Sequence, residues 1–431
     1  MSAQPLKVAL LGAGTVGSEV ADAILNRADS FTERIGSPLE LMSVGVRDTS
    51  KARPGIPAEL ITDDLNKAIE GADIVVELMG GLEPARELLI KALDAGASVV
   101  TANKALLAKH SGELFAAADK AKVRLEYEAA VAGAIPIIRP VGDSLAGDRI
   151  TRVLGIVNGT TNFILDAMEA KGWDYDHALK TAQELGYAEA DPTADVGGHD
   201  AAAKAAILAS LAFHSSVSID DVHVEGIESI TADMIATAAS QGFTIKLLAI
   251  CERIPDGGIS ARVYPALIPA DHALASVGGA FNAVFVEAEA AGELMFYGQG
   301  AGGAPTSSAV LGDLVSVARR KVLGGAGQYR KLEGDSLPIV PIDDITTRYH
   351  ITLAVQDRPG VLHTVTEVFL DQEVSIKLVE QTSLDDAADP RAKLVVATHS
   401  ASESALAATV ERLRALDVVD DVVSILRIEG Q

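Results

Sequence analysis

The feature that most constrains this sequence is a glycine-rich turn, GAGTVG, placed directly after an apolar run. The run covers residues 7–11, and a helical pattern follows over residues 16–25. Glycines in such a turn allow a tight bend, a close approach of phosphates and close helix packing. A turn of this kind also joins strands to helices for structural reasons alone, but its position favours a dinucleotide site. The predicted cofactor-binding residues of this turn are Gly12, Ala13, Gly14, Thr15, Val16 and Gly17.

Further strand patterns follow and alternate with helical ones. Apolar runs at residues 39–46, 73–78 and 97–101 predict strands, and residues 84–95 have helical periodicity. Strands that alternate with helices of this length build parallel sheets. We therefore predict an α/β fold class, with a Rossmann-type doubly wound parallel sheet as a dinucleotide-binding domain over residues 1–135.

A second α/β domain is predicted for residues 136–325. Its clearest patterns are a long alanine-rich helix at residues 200–214, strands at 244–250 and 259–267, and a helix at 305–322. Pro305 suits the first turn of that last helix, where a missing N–H costs nothing.

The remaining chain predicts a linker and a third domain. Residues 326–345 carry turn residues without periodicity, which indicates a linker. From residue 349 to 428 the patterns run strand, helix, strand, strand, helix, strand, the order of a ferredoxin-like unit. We assign residues 346–431 to this domain.

The composition limits the classes of partner that this protein can bind. The formal charge of −24 argues against binding to nucleic acid or to anionic membranes. Hydrophobic residues reach 48% but aromatic ones only 4%, which suits a core of small aliphatic side chains. Cys251 is the only cysteine, and neither a signal peptide nor a membrane span is evident, so we expect a cytoplasmic protein.

The end of the second strand bears on cofactor choice. An acidic residue there usually accepts the ribose hydroxyls of NAD, but this chain has VGVRD. Arg47 and Lys51 offer positive charge for the 2′-phosphate of NADP, although Asp48 is adjacent. The alternative is that Arg47 only begins a solvated loop. The pattern favours NADP and leaves NAD open.

Two lysines stand in contexts that suggest chemistry. Lys104 follows a strand, at the carboxyl end of the predicted sheet, where ligands bind in such folds. Lys204 lies four residues after Asp200 on the alanine-rich helix, so both side chains share one face. An ordinary surface ion pair is the alternative. The acidic residues nearby, which include Glu189 and Asp195, suit a ligand with an ammonium group.

The segment NGTTNFIL carries hydroxyl and amide groups at a predicted junction between strand and helix. Asn158, Thr160 and Thr161 can hold a carboxylate or an oxyanion there. They can equally cap the helix, and both roles are compatible.

Together these segments resemble the homoserine dehydrogenase family. GAGTVG, TANKALLA, EAAVAGAIPII, NGTTNFIL, LGYAEADPTADVGGHDAAAK and GGAPTSSAV occur in the family's order over roughly the first 325 residues. The resemblance implies reversible reduction of L-aspartate 4-semialdehyde to L-homoserine with NADPH or NADH, in the biosynthesis of threonine, methionine and isoleucine. It also implies that the second domain binds substrate and dimerises, and that its last helix returns to the nucleotide domain.

The resemblance also assigns roles to individual residues. It implies Lys204 as the acid/base, with Lys104 beside the nicotinamide. The implied substrate-binding residues are Glu189, Asp200, Asp195, Thr160 and Gly159, and further cofactor contacts are Thr101 and Gly303. A site for sodium or another monovalent cation is implied at Glu128, Val131, Gly133 and Ile135, with one carboxylate and backbone carbonyls as ligands. Glu128 can also be an ordinary strand-end residue.

DRPGVL in the last domain resembles the ACT family of amino-acid-binding modules. Its Pro-Gly pair makes a sharp turn and exposes N–H groups at a helix start, which can hold a carboxylate. A turn without a ligand is the alternative. ACT modules usually bind ligands where two copies meet, so a homodimer or homotetramer is implied, with L-threonine as the candidate inhibitor.

Two other functions fit parts of the sequence. Aspartate-semialdehyde dehydrogenase shares the cofactor but needs a cysteine nucleophile, and Cys251 lies in the apolar run LLAIC, where a buried thiol is expected. An amino-acid sensor that uses NADP only structurally is the non-enzymatic alternative. Some family members are fused to a kinase, whereas this chain starts at the nucleotide turn and is expected to be monofunctional.

Overall fold

The computed structural model describes residues 4–255, 257–325, 337–384 and 390–430. Two large sheets, one of six strands and one of ten, organise these residues, and a third sheet has two strands. Within the described ranges, none of the helices has the length and apolarity that crossing a membrane requires.

The nucleotide domain is a parallel sheet with helices on both faces, as predicted. Its strand order is β3-β2-β1-β4-β5-β6. The strands are β1 (Leu6–Leu11), β2 (Leu39–Gly45), β3 (Ile61–Thr62), β4 (Ile74–Glu77), β5 (Ser98–Thr101) and β6 (Leu125–Glu126). The helices are α1 (Thr15–Asn26), α2 (Ala28–Ile35), α3 (Leu65–Ala68), α4 (Ala85–Asp94) and α5 (Lys104–Ala121). Near-continuous apolar strands suit a sheet that is covered on both faces.

The second domain packs helices on one side of a mainly antiparallel sheet. Its helices are α6 (Gly159–Lys171), α7 (Tyr175–Glu184), α8 (Thr193–Val196), α9 (His199–Phe213), α10 (Ala232–Ser240) and α11 (Gly303–Val322). Its strands are β7 (Ile150–Ile156), β8 (His223–Val224), β9 (Phe243–Arg253), β10 (Ile259–Pro269), β11 (Phe281–Ala288) and β12 (Gly292–Gln299). Helix α11 returns to the first domain and packs on α1 and α2.

The third domain has the predicted ferredoxin-like order. Its strands are β13 (Thr346–Thr347), β14 (Tyr349–Gln356), β15 (Ile376–Leu384), β16 (Arg391–Thr398), β17 (Ala401–Ser402) and β18 (Val419–Ile428). Its helices are α12 (Val361–Asp371) and α13 (Glu403–Arg414). Strands β18, β14, β16 and β15 are neighbours in that order.

The third domain is joined to the second more closely than a linker predicts. Strand β18 pairs in parallel with β10, with Arg427 opposite Ala266, so the two domains share one sheet. The predicted linker lies partly outside the described residues, which exclude 326–336. Its later part contacts the second domain, where Ile339 bridges to Ile259 and the Leu337 N–H donates to Ser215 Oγ at 3.1 Å.

Candidate active site

The two first domains enclose a pocket of about 770 Å³ at the carboxyl ends of the parallel strands. This is where the doubly wound fold places its ligands. The pocket brings together most residues that the sequence singled out for substrate: Lys104, Asn158, Gly159, Thr160, Glu189, Asp195, Asp200 and Lys204. They come from four separate chain segments.

Helix α9 presents the central pair. All of its residues from Ala201 to Phe213 are buried, Lys204 included, because the alanines let sheet and helices approach from every side. Asp200 and Lys204 therefore do not form a surface pair. Lys204 Nζ donates to Asp200 Oδ2 at 2.7 Å and to the Val157 carbonyl oxygen at 2.5 Å.

Asp200 connects the two lysines. Lys104 Nζ lies 2.7 Å from its Oδ1, and the Lys104 side chain is 44% exposed. Burial by itself would raise the pKa of the Asp200 carboxyl, but the ammonium groups of Lys204 and Lys104 lower that pKa well below its ordinary value. The aspartate stays charged and holds both lysines at one side of the pocket.

Asn158 combines the two roles that the sequence left open for NGTTNFIL. Its Oδ1 accepts the Thr161 N–H at 2.9 Å and so caps α6. Its Nδ2 donates to Asp195 at 2.8 Å and to Asp200 at 2.9 Å. Thr160 Oγ1 donates to the Tyr187 carbonyl oxygen at 2.6 Å. The helix start thereby fixes the carboxylates that line the pocket.

The glycine-rich turn has the geometry that phosphates require. Gly12 has φ of 97°, and a Cβ there would lie 2.8 Å from the Leu78 carbonyl carbon. A Cβ on Gly14 would meet nothing within 4 Å, so that backbone is open. Helix α1 begins without a side-chain cap or an acidic residue in its first turn, which leaves its N–H groups available.

A second helix start lies beside the first. A Cβ on Gly303, the first residue of α11, would be 2.8 Å from Thr15 Cγ2, and α11 also lacks a side-chain cap. Two uncapped helix starts thus meet near the turn, which suits a pyrophosphate. These residues fit a dinucleotide.

Glu77 is a supporting residue that the sequence reading missed. Its side chain is fully buried and accepts N–H groups of Met79 and Gly80 at 2.8 and 3.0 Å. Thr101 Oγ1 donates to it at 2.6 Å, so this predicted cofactor contact faces the protein interior. An acidic residue inside the apolar segment DIVVEL was the available signal.

The residues predicted to favour NADP over NAD are exposed to solvent. Arg47 and Lys51 are exposed after β2. Arg53 donates to the carbonyl oxygens of Asp48 and Lys51 at 2.9 and 2.8 Å and so orders this loop.

The Glu128 carboxylate has a different role from the cation ligand that the resemblance implied. It accepts the N–H groups of Ile137, Ile138 and Arg139 and also the Arg139 Nε. With both oxygens occupied by four donors, the carboxylate does not fit a cation ligand. Among the described residues, no cluster of three or more His, Cys, Asp or Glu could hold a metal ion.

Cys251 is buried away from the pocket. Its thiol lies 3.4 Å from the Ala205 carbonyl oxygen, and burial raises its pKa to about 12. A thiol of this kind is not a nucleophile.

Comparisons with known proteins agree with this geometry. The family model "Homoserine dehydrogenase" matches residues 136–315, its NAD binding domain matches 12–128, and the ACT domain matches 349–418. A homoserine dehydrogenase of Mycobacterium tuberculosis is 56% identical over 435 residues, which cover 99% of this chain and 98% of the relative.

Solved structures give the same result. A homoserine dehydrogenase from Thiobacillus denitrificans has a TM-score of 0.92 and 40% identity, with 99% of each chain covered. A hyperthermophilic archaeal homoserine dehydrogenase in complex with NADPH has a TM-score of 0.61 and 28% identity, over 73% of this chain and 98% of that one. The chain is an oxidoreductase with a nicotinamide cofactor and an ACT domain, and it belongs to the homoserine dehydrogenase family.

Proposed function

We propose that this pocket reduces L-aspartate 4-semialdehyde reversibly to L-homoserine with NADPH, and that Lys204 transfers the proton. The observation that carries this proposal is the position of Lys204 and Lys104 on one buried carboxylate, Asp200, in the pocket at the carboxyl ends of the parallel strands. The bound cofactor supplies the hydride.

The lysine geometry supports the proton transfer. An ammonium group has three donors, and Lys204 uses two of them on Val157 and Asp200. Among the described residues the third N–H has no partner, so it is available to an aldehyde oxygen that gains negative charge. In the reverse direction the oxidation of homoserine releases a proton, so this reaction should accelerate as pH rises above neutrality.

The rest of the pocket suits an amino acid. Glu189 is exposed on the pocket wall, and Asp195 lies opposite the start of α6. We assign the substrate ammonium to these carboxylates. We assign its carboxylate to the backbone at Gly159 and Thr160, where a helix start favours negative charge.

The assay compares four conditions: oxidation of NADPH and of NADH by aspartate semialdehyde, each with and without threonine. We expect turnover with both cofactors and a lower KM for NADPH, because Arg47 and Lys51 are exposed and lie at the predicted position of the 2′-phosphate. The variant Arg47→Ser should lose that preference. No oxidation of either cofactor would disprove the catalytic proposal.

A monovalent cation remains part of the proposal in a restricted form. Within the described ranges, no hydrogen bond is made to the carbonyl oxygens of Val131, Gly133 and Ile135, and Gly133 has φ of 58°. Carbonyl oxygens in a bent loop can hold sodium without the Glu128 carboxylate. Replacing sodium by tetramethylammonium should lower the melting temperature; an unchanged value would exclude the site.

We also propose that L-threonine binds the ACT domain of a homo-oligomer. Helix α12 begins without a side-chain cap at Gly360, which has φ of 97°. Asp357 nearby accepts Gln381 Nε2 and Ser383 Oγ, at 3.1 and 2.7 Å, from the edge strand β15. Threonine should lower activity and raise the melting temperature, and light scattering should give a dimer or tetramer. An unchanged activity and melting temperature would contradict it.

The single, buried cysteine supports a reducing compartment, and we propose the cytoplasm.

A further inference from the structure

Asn282 is a buried amide in the pocket that the catalytic scheme does not use. It is the second residue of β11, it is 1% exposed, and it lines the pocket. Among the described residues, its Oδ1 is buried without a hydrogen-bond partner. An unsatisfied buried amide costs about 1–3 kcal/mol and calls for an explanation.

The position of this amide is tightly held. Asn162 Nδ2 donates to the carbonyl oxygens of Val277, Gly279 and Phe281, at 3.1, 2.9 and 3.2 Å. Lys246 is buried and donates to the Val277 carbonyl oxygen at 2.7 Å. The segment that leads into Asn282 is therefore braced from two sides, so its amide is pre-organised.

The pocket lining contains charged residues and small uncharged residues, and Asn282 lies against one of the small ones, Gly300. The charged residues include Lys104, Lys204 and the carboxylates. The small residues that are not assigned to the substrate are Ala132, Gly133, Ala280, Gly300 and Ala301. Small residues leave room for a flat ring, whereas the charges suit the amino-acid substrate.

Asn282 also lies near the phosphate-binding end. A Cβ on Gly300 would be 2.1 Å from Asn282 Nδ2, and three residues later Gly303 contacts Thr15 of the glycine-rich turn. Those two glycines can be at most about 11 Å apart. A dinucleotide whose pyrophosphate lies at the turn can thus bring its ring to Asn282.

We propose that the Asn282 side chain pairs with the carboxamide of the nicotinamide ring and so fixes which edge of the ring faces the lysines. This inference rests on the proposed function. A carboxamide has a donor group, its NH₂, and an acceptor, its carbonyl oxygen, which match the Oδ1 and the Nδ2 of asparagine respectively. A substrate carboxylate would use only Nδ2 and leave Oδ1 unsatisfied.

Calorimetric binding of reduced cofactors tests the pairing. NADPH is compared with its reduced 3-acetylpyridine analogue, in which a methyl group replaces the NH₂ that Oδ1 would accept. Wild-type protein should bind NADPH about five- to tenfold more tightly than the analogue, since one hydrogen bond is lost. Asn282→Ala should bind the two cofactors with equal affinity. Asn282→Asp keeps the acceptor, so it should bind both more weakly but still prefer NADPH.

Three results would overturn the inference. The first is equal affinity of the wild-type protein for the two cofactors, and the second is an unchanged preference for NADPH in Asn282→Ala. The third is a variant at Asn282 that binds NADPH normally but has a raised KM for homoserine, which would make Asn282 a substrate contact. Asn282→Asp is nearly isosteric, so the test does not depend on the alanine variant folding. Wild-type turnover with aspartate semialdehyde is measured separately, so a failed catalytic proposal is distinguished from a failed Asn282 contact.

Discussion

Two clusters of paired charges in this molecule differ in how completely the protein satisfies their hydrogen-bonding groups. The pocket cluster consists of Lys104, Asp200 and Lys204. The joint cluster lies where β18 meets β10, around Arg427 and Glu403. Both contain ion pairs of comparable length, so distance alone does not separate a reactive site from a structural one.

The joint cluster is saturated. Arg427 donates to both oxygens of Glu403, at 2.9 and 3.0 Å, and to Glu225 at 2.8 Å. Its guanidinium also lies 4.5 Å from the ring centre of Tyr264 and 5.6 Å from that of Tyr349. Such a network stabilises one arrangement of the two domains and leaves few groups for a ligand.

The pocket cluster keeps donors free. Lys104 is 44% exposed beside Asp200, and Lys204 uses two of its three donors. Hydrogen-bonding groups that face a cavity and have no partner, rather than the presence of charge, therefore indicate a reactive site. The following substitutions test that contrast.

Lys204→Met should have the largest effect. Removal of the proton-transfer group should lower kcat by about 10²- to 10⁴-fold while NADPH affinity stays near normal. Stopped-flow turnover and cofactor titration measure the two quantities. Lys180→Met, whose side chain is 74% exposed, serves as the control. Near-normal turnover in Lys204→Met would remove the lysine from its role.

Arg427→Met should act on stability instead. It leaves the buried carboxylate of Glu403 without its arginine partner, so the free energy of unfolding should fall by about 3–5 kcal/mol. Turnover of the folded enzyme at low temperature should change less than twofold. Arg412→Met breaks an exposed pair with Asp371 and should cost less than about 1 kcal/mol. Equal costs in urea denaturation would show that the joint is not a saturated network.

His350 should make the free energy of unfolding depend on pH. It is buried against Gln241, and burial lowers its pKa from 6.5 to about 4. As pH falls, the His350 imidazole takes up a proton in the unfolded chain before it does so in the folded protein. The contribution of neutral His350 to stability is therefore fully present above pH 6.5 and decreases progressively down to pH 4. The loss is about 3 kcal/mol.

Urea denaturation at pH 7 and pH 5 measures this dependence. His350→Gln should flatten it, whereas His363→Gln, at an exposed site on α12, should leave it unchanged. An identical pH slope in His350→Gln and wild type would exclude this role.

Glu189→Gln should have the smallest effect. The exposed carboxylate is assigned to the substrate ammonium, so its loss should raise the KM for homoserine about tenfold without changing NADPH affinity. Glu184→Gln, five residues earlier and 65% exposed, is the control. A normal KM would assign the ammonium to Asp195 alone.

The local patterns predicted much of the fold and of the pocket. The turn after β1 and the pairing of Asp200 with Lys204 follow from short-range periodicity, which the tertiary structure leaves intact. The sequence analysis did not identify Glu77 and Asn282, because each is a single polar residue in an apolar strand segment and forms no motif or periodicity with its neighbours. Their partners are set by packing.

The glycine-rich turn, the order of strands and helices, and the residues that could carry charge into the pocket were all predictable, because they depend on residue type and local spacing. Three features became visible only in the folded protein: Glu128 binds backbone N–H groups, β18 extends the sheet of the second domain, and Lys204 is buried with two of its three N–H groups bonded within the described residues. Such features depend on contacts between residues far apart in the chain, and short-range patterns carry no record of those contacts.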